Sequence, residues 1–296
     1  MDAEGTTPGR HLPGHIEAAL RRAGGAADSA GQPWSGRDLA GEGNPLHAFD
    51  ADDGLPDAGY EAAVAALVAG TGDEAGVVSS LATARVFVPV LASLAEGGLG
   101  EHGFAEDKEA DMALVTITAP DGRAALPVFS GVDRLRAWHP QARPVAVFAP
   151  RAALSAVSEG AQLLVVDPGS DVTFVVRRPA VWSLAKQRPW VPGYADGRHA
   201  ALFEGLVDQE PDVIGLTAAP GRGVASRTAS GAVVAGGGSG PEVRLEIAFA
   251  QGTTPERARA AVARIQERLR GDTAFSEGVD SLELALTTRA PGAGQR

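Results

Sequence analysis

From Pro56 onward the apolar positions recur at helix and strand periods. Tyr60, Val64, Leu67 and Val68 repeat at helical spacing up to Gly70, behind Asp57 as an N-cap. The run Arg85-Val-Phe-Val-Pro-Val-Leu91 is β-branched and aromatic and predicts a strand. Pro89 has no N–H to donate, which predicts an edge or bulged position for it. Two hairpins follow. One turns at Pro120-Asp-Gly-Arg123 between residues 113–119 and 124–129. The other turns at Asp167-Pro-Gly-Ser-Asp171 between Leu163–Val166 and Val172–Val176, strands apolar enough to be buried on both faces. Between and after them the pattern predicts helices at Asp133–His139, Arg151–Glu159 and Pro179–Gln187, with a strand at Val145–Phe148.

A polar break with one short helix occupies Tyr194–Glu210, and a strand follows at Val213–Thr217. Residues 219–241 hold seven glycines in 23 positions and read as a loop. The last unit is the clearest. Val243–Phe249 is a strand, and Thr253-Thr-Pro-Glu256 offers a capping box. Ala258, Ala261, Val262, Ile265 and Leu269 then form one helical stripe ending at Gly271. Ser281–Leu286 alternates as a second strand, and the crossover length makes the two strands parallel. Helices and strands interleave with hairpins, so the fold class is α+β with mixed sheets in two domains. Residues 56–200 form the first domain and 205–288 the second, with 289–296 a short free tail.

The first 57 residues carry ten acids and four bases, net −6 of the total −11. With ten Gly and four Pro in residues 1–55, that stretch is expected to be a disordered acidic tail. Its Asp50-Ala-Asp-Asp-Gly54 segment misplaces the glycine of a calcium loop and reads as a solvated linker. The overall charge excludes broad nucleic-acid binding. The longest apolar run is eight residues, Ala62–Ala69, against the roughly 20 of a spanning helix. Cysteine is absent, which excludes disulfides, thiol catalysis and thiolate-held metals. The leading Met-Asp-Ala-Glu lacks the basic and apolar regions of a secretory leader, so the cytoplasm is the expected location.

Catalytic motifs fail on context. Gly98-Leu-Gly100-Glu-His-Gly103 lacks the strand before it and helix after it that phosphate binding requires. Ser183-Leu-Ala-Lys186 lacks the two partner elements of penicillin-recognising enzymes. His11 and His15 are separated by Pro13 and Gly14, and Asp167 and Asp171 are turn residues. No catalytic residue, metal or cofactor is expected. Trp138 and Trp182 read as core. Trp190, flanked by prolines, and Trp34, in the tail, read as surface anchors. Arg177 and Arg178 leave a strand and read as solvated cations able to meet a carboxylate; Arg123 follows a turn. Trp34, Arg123, Arg177, Arg178 and Trp190 are therefore the candidate interaction surface. The expected partner is a protein of unknown identity, with neither nucleic acid nor membrane; a homodimer is open.

Several separated motifs occur together. They are Gly122-Arg-Ala-Ala-Leu-Pro-Val-Phe-Ser-Gly131, Leu135-Arg-Ala-Trp138, Ala142-Arg-Pro-Val145, Glu159-Gly-Ala-Gln-Leu-Leu-Val-Val-Asp-Pro-Gly169 and Val175-Val-Arg-Arg-Pro-Ala180. With Val279-Asp-Ser-Leu-Glu-Leu284 they make residues 56–288 resemble the SseB family, the enhanced serine sensitivity proteins, in an actinobacterial-looking form. Trp34-Ser-Gly-Arg37 and Asp52-Asp-Gly54 add to the likeness. The resemblance implies an N-terminal and a C-terminal SseB domain. It brings no catalytic residues, because the family name records a growth phenotype. The missing catalytic constellation, the Trp- and Arg-decorated first domain and the compact C-terminal α/β unit point instead to a non-enzymatic interaction or regulatory protein. A small-ligand binder or enzyme acting on an amino-acid-like substrate through Asp/Glu and Arg groups is the alternative.

Overall fold

A computed structural model describes residues 49, 51–93 and 111–289. Trp34, the His11/His15 pair, the Gly98–Gly103 motif and most of the expected tails lie outside the described residues. Helix α1 (Ala58–Val68) starts where the sequence predicts, with the Asp57 carboxylate accepting the Tyr60 N–H. A second helix, α2 (Glu74–Leu81), is absent from the sequence expectation. It is capped by Asp73 and buries Val77, Val78 and Leu81. After it come β1 (Arg85–Ser93), β2 (Asp111–Leu114), β3 (Ile117–Thr118) and β4 (Ala124–Val128). Then follow α3 (Val132–Trp138), β5 (Arg143–Phe148), α4 (Ala149–Ser158), β6 (Leu163–Val166), β7 (Phe174–Val176) and α5 (Arg178–Ala185).

Strand β1 is the middle of an antiparallel sheet ordered β2-β1-β5, which corrects the edge position predicted from Pro89. The reason lies in backbone alternation. Phe87 exchanges both its N–H and C=O with Phe129, at 2.7 and 2.8 Å. Pro89 faces the same way, and its carbonyl accepts from the Val115 N–H at 3.5 Å. The missing N–H falls at the seam where β1 leaves Phe129 for β2, and Pro144 stands opposite on β5. A second sheet runs β3-β4-β6-β7, with β4 and β6 parallel and the outer pairs antiparallel. Every residue of β6 and β7 is buried, as the unbroken apolar runs predict.

The second half begins with a short 3₁₀ turn and α6 (Ala200–Gln209), followed by β8 (Val213–Pro220). The segment expected as a loop contains a hairpin, β9 (Ala225–Arg227) with β10 (Val233–Gly237). Then come β11 (Val243–Ala250), α7 (Pro255–Gly271), α8 (Thr273–Gly278) and β12 (Leu282–Arg289). The sheet is ordered β12-β11-β8, with β11 and β12 parallel as expected. The α7 cap is Thr254, whose hydroxyl accepts from Arg257, one residue later than the predicted capping box. Short α8 was not predicted. The class is α+β with mixed sheets.

Two large hydrophobic clusters carry these layers. The first gathers α1, α2, β1, β4, α4, β6, β7 and α5, and it includes Val234 of β10. The second gathers α6, β8, β11, α7 and α8 around Leu245, Ile247 and Ile265. A hairpin from the second half therefore completes the core of the first. Residues 52–55, expected in the tail, are tied down as well. Arg85 reaches Asp52 at 2.6 Å and the Leu55 carbonyl at 2.8 Å, and Gly54 accepts the Val132 N–H.

Candidate functional site

Arg177 sits in the turn between β7 and α5, and its side chain is 1% exposed. Its guanidinium donates to the carbonyls of Gly240 (2.6 Å), Gly238 (2.7 Å) and Gly223 (2.9 Å). The backbones meeting there are the two legs of the glycine-rich segment. A Cβ on Gly223 would coincide with the backbone of Gly240, so only glycine permits the crossing. Gly237 adds a left-handed φ of +72°. A buried carbonyl without a donor costs about 1–3 kcal/mol. Arg177 supplies donors for three.

Three buried carboxylates surround this knot. Glu74 of α2 accepts the Gly237 N–H at 2.9 Å and the Tyr194 hydroxyl at 3.0 Å. Glu242 accepts the N–H groups of Gly193 (2.8 Å) and Asp280 (2.6 Å). Asp280 accepts from Arg123 at 2.7 Å and lies 3.8 Å from Arg177. Burial pushes the Glu74 and Glu242 carboxyls up from the ordinary range, against the pull of their N–H donors and of Arg177. Burial and the neighbouring Glu74 also raise the Tyr194 hydroxyl. Arg178 donates to the carbonyls of Ser276 and Val279, both at 2.8 Å. Three of the five candidate residues, Arg123, Arg177 and Arg178, thus bind the second half of their own chain. The reading of Arg177 as a solvated cation is corrected by its burial.

Trp190 is half-buried against the first core, with its indole N–H lacking an acceptor among the described residues. Trp138 packs on Phe129 at 5.3 Å, as a core residue should. Trp182 does not: it is 41% exposed, with the Lys186 ammonium 5.0 Å from its ring, so the core reading fails there.

A second polar cluster, missed by the sequence reading, joins the carboxyl ends of parallel β4 and β6. Asp167 takes a left-handed φ of +53° and is 1% exposed. Its two oxygens accept the Ser130 N–H and hydroxyl, both at 2.8 Å, and Arg134 at 2.8 Å. Arg134 continues to Glu61 of α1 at 2.7 and 3.1 Å. Burial raises the Asp167 carboxyl despite those donors. The Ser130 hydroxyl gives its proton to Asp167 and accepts from Arg134, and the residue is 2% exposed. A nucleophile needs an approach for substrate and a free base. Here the bonds fix two strand ends and two helices.

The open counterpart is a groove of about 570 Å³ between α6 and β8. Tyr194, Phe203, Val207 and Leu216 give it an apolar floor. Asp196, Glu204 and Asp208 line it as acids. Asp196 is held by Arg198 through the backbone N–H at 2.9 Å and the guanidinium at 2.8 Å, which lowers its carboxyl below the usual range. Glu204 and Asp208 are exposed, stand one helical turn apart, and make no ion pair with any described residue. Like charges at that spacing destabilise a helix by about 0.2–0.5 kcal/mol. The same spacing was readable in the sequence, and so was the strand from Val213; that this strand faces α6 was not. Among the described residues no group of three or more His, Asp or Glu side chains is placed to hold a metal ion. No described helix is long and apolar enough to cross a membrane.

Comparison with curated proteins gives no match, and comparison with solved structures gives none either. Residues 60–183, which run from α1 into α5 and include Arg123, Arg134, Asp167 and Arg177, match the family model described as SseB protein N-terminal domain.

Proposed function

We propose that this chain is a non-enzymatic interaction protein of the SseB type, working in the cytoplasm, and that it receives a protein partner in the groove between α6 and β8. Residues 205–288 are read as its C-terminal SseB domain, which supplies one wall of that groove. One observation carries the reading: where the charged groups are committed. Arg123, Arg177 and Arg178 bind their own chain, and Ser130 with Asp167 is closed off. Glu204 and Asp208 have no ion-pair partner among the described residues and lie beside an apolar floor. Exposed apolar surface rimmed by polar groups marks interaction sites.

A second reading rests on the groove's volume, which falls within the roughly 300–1,000 Å³ of small-molecule pockets. The same carboxylates suit a small amino-acid-like cation. One comparison separates the two. The wild-type protein and the Glu204→Lys, Asp208→Lys double variant are used for affinity capture from native lysate, and both are screened against amino acids and amines by thermal shift. A stoichiometric protein lost only with the double variant supports the interaction reading. Stabilisation by a small amine, abolished in the variant and without a captured protein, replaces it with the ligand reading.

A further inference from the structure

Strand β8 lies at the edge of its sheet. Its register with β11 pairs Leu216 with Ile247 and Ala218 with Leu245. The Gly221 N–H donates to Glu242 at 2.7 Å, which marks that pair as a hydrogen-bonded one. Antiparallel ladders alternate. Counting back, Ala219, Thr217 and Gly215 turn their backbone groups toward β11. Leu216 and Ala218 turn theirs outward, and both residues line the groove. No hydrogen bond from another described residue reaches these outward groups.

The groove therefore offers a row of backbone donors and acceptors on one side. On the other it offers two uncompensated carboxylates, with aromatic and aliphatic floor between. Resting on the interaction reading above, we infer that the partner presents an extended, lysine- or arginine-bearing segment that adds as a strand to β8 and sets its cations against Glu204 and Asp208. Main-chain bonds give affinity in this mode, and alternate side chains give selectivity. Every second side chain of the added strand points to one face. A sequence with cations at alternate positions thus turns all of them toward the α6 wall. Charge complementarity argues against the chain's own N-terminal segment as occupant, since its first 57 residues are net −6.

The test uses the full chain and a labelled octapeptide alternating lysine and valine, read by fluorescence anisotropy. Its comparators are the same peptide N-methylated at alternate backbone positions, an alternating glutamate and valine peptide, and free lysine. Binding of the basic peptide is expected to weaken at least tenfold in the Glu204→Lys, Asp208→Lys double variant and at least tenfold on N-methylation. It is expected to weaken on raising the salt, and to stay unchanged in Glu159→Lys. Both target residues are exposed, so circular dichroism of the double variant should match wild type. Equal binding of the N-methylated or acidic peptide overturns the inference. So does competition by free lysine at equal concentration, or a dimer by sedimentation that the double variant abolishes while no peptide binds. If the peptide fails yet a lysate protein is still lost with the double variant, the basic-strand inference falls and the interaction reading stands. If neither binds, both fall.

Discussion

The guanidinium of Arg177 lies 2.6 Å from the carbonyl oxygen of Gly240, 63 residues further along the chain. This contact, with the two glycine carbonyls beside it, holds the crossing of the glycine-rich legs against α5 and β7. The charge has carboxylate company at Glu74, Glu242 and Asp280, so no ion in the knot stands alone.

Replacing Arg177 by Met should therefore cost about 3–5 kcal/mol, the cost of breaking a buried ionic network by removing one member. Lysine keeps the charge but cannot reach three carbonyls in a fork. Arg177→Lys should fall between wild type and Arg177→Met. Urea unfolding monitored by tryptophan fluorescence checks the order. A Met variant within 1 kcal/mol of wild type would show that the knot is not held by this side chain.

Glycine at the crossing is required by space. Gly223→Ala forces a methyl onto the Gly240 backbone and should cost about 1–3 kcal/mol, in the range of overpacked cores. At Gly215 an added Cβ meets only the Ala248 methyl, at 3.8 Å. Gly215→Ala should change stability by less than about 0.5 kcal/mol. Thermal midpoints of the two variants decide between steric need and general loop flexibility.

The two buried glutamates should respond differently to neutralisation. Glutamine at 74 keeps an oxygen for the Gly237 N–H and turns its amide toward the Tyr194 oxygen, so Glu74→Gln should cost under about 1 kcal/mol at pH 7. At 242 both oxygens accept backbone N–H groups. Glutamine leaves one of those donors facing an NH₂, and Glu242→Gln should lose about 1–3 kcal/mol. The pH dependence has a definite sign. Both carboxyls are raised in the folded chain, so between the ordinary glutamate range and the raised value the folded state binds more protons. Their contribution is full below the ordinary range and is lost as pH rises through the raised value. Removing Glu74 removes its share of that slope. The difference in urea midpoint, Glu74→Gln minus wild type, should become more positive from pH 4.5 to 7.5. A flat or falling difference would contradict the burial argument.

Much of this fold was legible. The α7 stripe of Ala261, Ile265 and Leu269 is amphipathic enough to read directly, and the Thr253-Thr-Pro-Glu256 box places its start to within one residue of the Thr254 cap. The apolar runs at β6 and β7 announced burial on both faces. Helix α2 escaped because its eight residues follow Thr71-Gly-Asp, a stretch that reads as turn. Strands β9 (Ala-Ser-Arg) and β10 (Val-Val-Ala-Gly-Gly) escaped because neither short run shows hydrophobic alternation within a glycine-rich stretch. The site was less legible, for one reason. Sequence names Arg177, Glu74, Glu242 and Asp167 as charges, and charges default to the surface. The long-range crossing at Gly223 and Gly240 decides that the first three are inside, and the meeting of Ser130 and Arg134 on Asp167 decides the fourth. The groove was half readable: Glu204 and Asp208 share a helix face by spacing, while the outward groups of Leu216 and Ala218 follow from strand order alone.

Val234 sits in the first core although its strand belongs to the second half of the chain. During synthesis, α5 ends at Ala185 and the hairpin closes at Gly237, 52 residues later. At roughly 5–20 residues per second, that interval lasts about 3–10 s. Until it ends, Phe174 and Leu67 lack the Gly236–Gly237 backbone that packs against them, and Arg177 lacks its carbonyls. The N-terminal unit must wait on the ribosome for a part made late, with a charged side chain and an apolar face unsheltered in the meantime.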